Sequence, residues 1–256
     1  MICTPTGESP GKESVPVALK TLARKAQGLT GADIERWVRE ARQKARREGR
    51  NLAYGDLESL LSGAEPTRST ALRMRIAVHE AGHAVARMLV SFDKISEITI
   101  DGSRGGFVDG ELGLDDEMTE TRLTALLIAT LAGRAAEEVM LDAVSINSGG
   151  ADHSDLALVT RLAFDMETVL GLGGRWPLVH RTSADFVKAP AVDPELVARV
   201  NERLERAYAA ALTVVREQEE AIDFLAGRLF EAGTLDGPDL DNVLDEVRKR
   251  FRERPG

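Results

Sequence analysis

Apolar side chains recur every three or four residues along most of the chain, which is the spacing that places them on one face of an α-helix. The pattern predicts helices at about 30–49, 56–61, 70–90, 119–141, 154–170, 193–215 and from Pro238 to near Phe251. Short stretches at 97–100 and around Phe107 and Val108 predict strands. We therefore expect a mainly α protein with a small β element.

The segment 70–90 differs from the others because apolar residues surround it almost completely. These residues are Ile76, Ala77, Val78, Ala81, Ala84, Val85, Met88 and Leu89. A helix that is apolar all round is buried, yet the centre of this one holds His79, Glu80 and His83. Buried polar groups of this kind are costly unless they are paired or bind a metal.

His79 and His83 are four positions apart, so on a helix both imidazoles point the same way from successive turns. Glu80 then lies beside any ion that they share. A catalytic zinc site needs nitrogen ligands, an open position for water and a nearby carboxylate, and this is the H-E-x-x-H spacing of zinc peptidases. The pattern predicts Zn²⁺ held by His79 and His83, with Glu80 as general base towards a zinc-activated water. The alternative is an ordinary amphipathic helix with Glu80 in solvent.

The pattern leaves the third ligand of this site open. The third histidine of the extended metzincin motif would fall at Leu89, which excludes that class. A glutamate from a later helix, Glu137 or Glu138, is one possibility. The other is the acidic turn at 152–155, where Asp155 lies in the first turn of a predicted helix and is favoured there by the helix dipole.

The N-terminal quarter of the chain has two parts. Residues 1–14 are rich in Pro, Gly, Ser and Thr and predict a flexible leader. Residues 15–63 have a compact helical pattern, in which Thr30 and Asp33 make a capping-box-like helix start. Residues 64–69 are predicted to form a linker to the rest of the chain.

Composition narrows the classes of function. The formal net charge is −9, which argues against a nucleic-acid binder although residues 42–50 form a basic run. The single cysteine, Cys3, provides no disulfide framework, which is compatible with a reducing compartment. No signal peptide or membrane-spanning run is evident, so we expect a cytoplasmic chain, membrane-associated only if a parent protein carries an upstream anchor.

Several passages resemble the FtsH-type ATP-dependent zinc metalloproteases. Residues 79–83 match the HEAGH of that family, 131–138 its LAGRAAEE, 150–156 with Thr160 its GA-S-N-D-L/I-x-x-A-T segment, and 193–244, including 234–237, its C-terminal helices. The resemblance covers about 15–250 and implies that Asp155 is the third zinc ligand. It also implies that Glu138 steadies a ligand histidine. Because one extra residue precedes Asp155 relative to the family pattern, Asp152 remains a lesser candidate.

The fold implied by this resemblance is a helical zincin-like peptidase domain at 70–256, preceded by a small helical AAA-lid subdomain at 15–63. The ATPase core that precedes such a lid is absent from the chain. We therefore expect either a fragment of a longer enzyme or a naturally shortened relative.

The function implied is zinc-dependent endoproteolysis of unfolded polypeptides by a homo-oligomer, which in that family is a hexamer. Without the ATPase core we expect weak peptidase activity that needs no ATP, and none on folded proteins. Gly106, Phe107 and Val108 are expected to form an edge strand that pairs with an extended substrate. The alternative is a catalytically silent assembly or regulatory module of an AAA-protease-like ring.

Overall fold

The computed structural model describes residues 19, 22, 23, 26, 29–63, 68–90, 94–102, 105–111, 118–175, 177–180 and 193–251. The chain forms two compact units, one of residues 1–67 with 102–104 and the other of residues 68–101 with 105–256. Eight α-helices lie in the described ranges, and none of them is long and apolar enough to cross a membrane. The mainly α class with a small sheet is confirmed, whereas the predicted leader at 1–14 lies outside the described residues.

The first unit contains a pair of helices. These are α1 (Gly31–Arg47) and α2 (Tyr54–Gly63). The predicted capping box is confirmed, because the Thr30 side chain accepts from the backbone N–H of Asp33 and the Asp33 side chain accepts from that of Thr30. Between the helices Arg50 donates two hydrogen bonds of 2.6 Å to Asp56. This ion pair links the segment that follows α1 to the first turn of α2.

After residue 67 the chain forms a helical bundle with a small sheet. The elements are α3 (Thr70–Val90), β1 (Lys94–Gly102), β2 (Gly105–Glu111), α4 (Glu120–Leu141), a 3₁₀ helix (Ile146–Ser148), α5 (Asp155–Thr168), α6 (Pro194–Glu217), α7 (Glu219–Ala232), β3 (Thr234–Asp236) and α8 (Gly237–Arg248). Helix α3 packs against α4 and α7, and α4 also packs against α5 and α6. Because α3 lies between these partners, residues 76–86 are all buried, as the apolar pattern predicts.

The three strands form one sheet in the order β2-β1-β3, so β2 is an edge strand of this sheet. Strands β1 and β3 are antiparallel, with Ile98 opposite Leu235. Both of these side chains are buried. Strand β2 packs against α3, and this contact brings an edge strand to the helix that carries the two histidines.

The sequence pattern misses two elements near the C-terminus. Helix α6 ends where Gln218 leaves the helical conformation, at φ −119° and ψ 23°, and α7 begins directly after it. No glycine or proline marks this break, so the usual stop signals are missing. Strand β3 has three residues, too few for an alternating pattern to be recognised. Both elements matter, because α7 packs on α3 and β3 forms one side of the sheet.

Candidate metal centre

The two histidines of α3 converge in the interior of the bundle. His79 and His83 are 7% and 8% exposed, and their rings are 4.6 Å apart at an interplanar angle of 81°. Their Nε2 atoms are 3.0 Å apart. The i, i+4 spacing on a helix therefore brings two nitrogen donors to one point, as predicted.

Hydrogen bonds on the far side of each ring fix how the imidazoles are protonated. His79 Nδ1 is 2.8 Å from Glu137 Oε1, and His83 Nδ1 is 2.9 Å from the carbonyl oxygen of Ala129. Both partners only accept, so each Nδ1 carries the hydrogen and donates it. In the neutral rings the lone pairs therefore lie on Nε2 and face the common point.

Asp155 brings a third possible donor atom to this point. It is the first residue of α5, whose start is capped by the Ser154 side chain. Its Oδ2 atom lies 3.0 Å from His79 Nε2 and 3.5 Å from His83 Nε2. Among the described residues, His79, His83 and Asp155 are the group whose donor atoms all lie within 4.8 Å of one another, and Asp152 does not belong to it.

The spacing of these three atoms fits a tetrahedral metal ion. Ligands at tetrahedral angles, with bonds of about 2.0–2.1 Å to zinc, lie about 3.3 Å apart. The observed separations of 3.0, 3.0 and 3.5 Å bracket this value. Two imidazoles and one carboxylate, moreover, form a donor set typical of catalytic zinc, with one position left for water.

Two glycines allow α3 and α4 to approach closely at the site. A Cβ on Gly82 would lie 2.6 Å from Ala136 Cβ and 2.7 Å from the Ala132 carbonyl oxygen. A Cβ on Gly133 would lie 2.7 Å from His79 Nε2 and closer still to His83 Nε2. The absence of a side chain at Gly133 therefore leaves free the space beside both nitrogen donors.

The glutamate that steadies His79 is Glu137, which corrects the expectation for Glu138. Glu137 is fully buried and accepts from His79, whereas Glu138 accepts a hydrogen bond of 2.5 Å from the Tyr208 hydroxyl. Successive residues of a helix point about 100° apart, so only one of the two glutamates can face α3. Neither of them is the third donor.

Glu80 lies beside the edge strand. It is 5% exposed, and a Cβ on Gly106 would lie 2.5 Å from Glu80 Oε1 and from Glu80 Cγ. Two turns further along α3, Arg87 donates a hydrogen bond of 2.8 Å to the carbonyl oxygen of Val108. The carboxylate of Glu80 is thus held between the histidine helix and β2.

Burial and charge both shift the proton affinities of the site. Burial would lower the pKa of His79, but hydrogen bonds with Asp155 and Glu137 outweigh it and raise that pKa to about 10. Burial acts to raise the pKa of Glu137 and of Asp155, and their partners outweigh it. The bonds from His79, Arg75 and Ser145 lower the pKa of Glu137 to about 2, and the two histidines lower that of Asp155. Burial raises the pKa of Glu80.

These shifts predict that metal affinity rises with pH. Because the pKa of His79 is raised to about 10, an ion must displace a proton from His79 at neutral pH. We expect the zinc association constant to rise about tenfold per pH unit between about pH 7 and 9, as one released proton requires. Competition with a chromogenic chelator at a series of pH values measures this, and a flat profile would contradict it.

The same shift makes a second, independent readout possible. A histidine whose pKa is higher in the folded than in the unfolded state stabilises the fold fully below about pH 6.5, and this contribution is lost as pH rises towards the folded value. The metal-free chain should therefore lose stability between about pH 7 and 10. Thermal unfolding in the presence of a chelator, measured at a series of pH values, checks whether the melting temperature falls over this range.

A buried helix with two histidines four residues apart, a carboxylate facing both of them and a glutamate beside them form the site pattern of the H-E-x-x-H class of metallopeptidases. The chain belongs to peptidase family M41, which matches residues 67–243. Residues 16–60 match the AAA+ lid domain. Together these matches confirm the resemblance to FtsH-type proteases.

Individual relatives agree with this assignment. The ATP-dependent zinc metalloprotease FtsH of Synechococcus sp. (strain JA-2-3B'a(2-13)) is 33% identical over 91% of this chain and 40% of its own length. The protein of the same name from Chloroflexus aggregans is 31% identical over 91% of this chain and 39% of its own length. ATP-dependent zinc metalloprotease FTSH 6, chloroplastic, of Oryza sativa subsp. japonica is 30% identical over 93% and 38%. The chain thus spans about two fifths of the length of these curated relatives.

Proposed function

We propose that this chain is a zinc-dependent endopeptidase that cleaves unfolded polypeptides, with Glu80 as general base. The observation that carries the proposal is the convergence of His79 Nε2, His83 Nε2 and Asp155 Oδ2 on one point, with Glu80 buried beside them. The names of the relatives, which are zinc metalloproteases, support zinc as the ion that these three side chains hold.

Glu80 is suited to both proton transfers of peptide hydrolysis. A base must take a proton from the attacking water, and an acid must give a proton to the amine nitrogen when the C–N bond breaks. One carboxylate can do both in turn. Burial raises the pKa of Glu80, so it is a stronger base than an exposed glutamate. A bound zinc ion supplies Lewis acidity towards the water and towards the scissile carbonyl.

Strand β2 supports unfolded chains as the class of substrate. It lies at the edge of the sheet, and Gly106 lies against Glu80 with no side chain between the strand and the carboxylate. A polypeptide that added to Gly106, Phe107 and Val108 as a further strand would be held through its backbone, whatever its sequence. Only an extended, unfolded segment can pair in this way.

We further propose a homo-oligomeric ring, hexameric as the resemblance to FtsH-type proteases implies. In this arrangement residues 15–63 are the lid part and residues 70–256 are the peptidase domain. The match of residues 16–60 to the AAA+ lid domain supports this proposal.

The geometry favours an enzyme over a catalytically silent module. A silent module has no need for two imidazoles whose Nδ1 atoms are hydrogen-bonded, a carboxylate facing both Nε2 atoms and a buried glutamate beside an edge strand. The chain retains all of these.

The proposal is tested by metal content and by cleavage of casein, which is largely unstructured. We expect one zinc per chain, cleavage that stops when a chelator removes zinc and returns when zinc is added back, and no cleavage of a stably folded protein. Asp155→Asn should weaken zinc binding by about 10-fold or more, because it replaces a charged ligand with a neutral one.

Asp152→Asn is the matched control, because it makes the same change in the same turn at a residue outside the donor group. It should leave zinc content and cleavage unchanged. If the parent binds zinc and the Asp155→Asn variant binds zinc and cleaves casein equally well, Asp155 is not a metal ligand. A parent chain that binds no zinc would overturn the proposed function.

A further inference from the structure

Arg75 joins the metal centre to two other parts of the bundle. It lies on α3 one turn before His79. Its Nη1 atom donates hydrogen bonds of 2.8 Å to Glu137 Oε2 and 2.6 Å to the carbonyl oxygen of Ala143. One carboxylate, that of Glu137, therefore binds two residues on the same face of α3.

The surroundings of Glu137 show why a positive charge is needed there. Its side chain is completely buried, whereas that of Arg75 is 27% exposed. Besides Arg75 and His79, the backbone N–H and the hydroxyl of Ser145 donate to it, at 2.8 and 3.0 Å. Of these four donors, only the guanidinium carries a permanent positive charge. Once His79 binds a metal ion as a neutral ligand, Arg75 is the charged partner left to compensate the buried carboxylate of Glu137.

The second contact of Arg75 reaches the chain that leads to Asp155. Ala143 and Ser145 lie just after the end of α4 at Leu141, in the connection that runs through the 3₁₀ helix to α5. The bond from Arg75 to Ala143 and the bonds from Ser145 to Glu137 fix the start of this connection. Its end carries Asp155, the carboxylate that faces both histidines.

We propose that Arg75 is a positioning residue for the metal ligands. It holds the Glu137 carboxylate in place so that this carboxylate orients His79, and it anchors the connection that brings Asp155 to the histidines. Arg75 contacts neither the ion nor the substrate. The inference rests on the proposed function only in taking His79, His83 and Asp155 as the metal ligands.

The test is the affinity of the whole chain for zinc alone, measured by competition with a chelator of known affinity. Groups that orient a metal-ligating histidine typically contribute 10- to 100-fold to metal affinity. We expect Arg75→Met to weaken zinc binding within this range while the helical circular dichroism of the chain is retained. Casein cleavage at saturating zinc should recover most of its kcat, because Glu80 and the substrate strand are untouched.

Arg73→Met is the matched control. Arg73 lies on the same helix and forms an ion pair of 2.7 Å with Asp101, at a similar exposure of 32%. This pair does not involve a metal ligand or Glu137. Its loss should lower the melting temperature slightly and leave zinc affinity unchanged. If both variants weaken zinc binding equally, Arg75 has only the general structural role of an ion pair.

Two further variants test whether Arg75 acts through the carboxylate of Glu137 and guard against misfolding. Arg75→Lys keeps the positive charge and should recover part of the lost affinity. In a Glu137→Gln background, Arg75→Met should have a much smaller effect than alone, because its main partner is then uncharged. Fully additive losses, or an Arg75→Met chain with parental zinc affinity, would overturn the inference while leaving the peptidase proposal intact. Failure of the parent to bind zinc would overturn both.

Discussion

Replacing Glu80 by glutamine is expected to lower the rate of casein cleavage by about 10²- to 10⁴-fold while zinc remains bound. This is the range that general acid–base catalysis contributes. Glutamine has the same shape, so it fits beside Gly106, but its neutral amide cannot take a proton from water. Glu80 is not one of the three grouped donors, so the zinc content should stay at the parental value. Cleavage rates and metal content are measured on the same preparation.

Glu138→Gln is the control for this experiment. It makes the same chemical change at a partly buried glutamate that bonds Tyr208 instead of the metal ligands, so cleavage and zinc content should both stay close to parental values. A Glu80→Gln chain that binds zinc and cleaves casein at the parental rate would exclude Glu80 from the mechanism. A chain that loses zinc would instead give Glu80 a role in metal binding.

The parts of the site that are local in sequence could be predicted, because helix geometry alone relates them. His79, Glu80 and His83 follow from one helical turn, and the apolar residues around them show that the helix is buried. Asp155 lies 76 positions after His79 in the chain, and no local pattern links the two. The residue pattern alone therefore leaves Asp155 as one of several possible third ligands. The resemblance to FtsH-type proteases is what favours it.

The family resemblance implied Glu138 as the partner of a ligand histidine, whereas the structure shows Glu137 bonded to His79. An error of one position on a helix has a simple geometric origin. Gly133 and Glu137 are four residues apart, and so are Arg134 and Glu138, so the two pairs lie on different faces. The first pair faces the histidines, and the second lies near Tyr208. A glycine that lets α4 approach α3 therefore identifies the glutamate four positions later as the one that faces α3, and this signal was present in the sequence.

Arg75 and Ser145 could not be found in the same way. Arg75 meets Glu137 across 62 positions of the chain, and an arginine near the start of a buried helix has many possible partners. Ser145 depends on how the connection after α4 turns back, where Asp142 takes a left-handed conformation with φ 51°. That conformation is uncommon for a residue other than glycine. Such contacts follow from tertiary packing and have no periodic signature.

The second large effect is expected from Gly133→Ala, which should weaken zinc binding by up to about 100-fold. The added Cβ would lie 2.7 Å from His79 Nε2 and closer to His83 Nε2, beside the two atoms that must contact the ion. Rotation of the rings away from this Cβ would break their Nδ1 bonds to Glu137 and to the carbonyl of Ala129. Overpacking costs about 1–3 kcal/mol, and its upper end corresponds to about 100-fold in affinity.

Gly227→Ala separates this steric effect from the general effect of alanine in a helix. Gly227 lies within α7, and a Cβ there would meet no atom within 4 Å. Alanine at an unstrained helical position stabilises a protein by about 0.4–1 kcal/mol, so Gly227→Ala should raise the melting temperature and leave zinc binding unchanged. Gly133→Ala should retain its helical circular dichroism but bind zinc up to about 100-fold more weakly, and its casein cleavage should fall at zinc concentrations that just saturate the parent. Parental zinc affinity in Gly133→Ala would contradict the placement of the ion between the two Nε2 atoms.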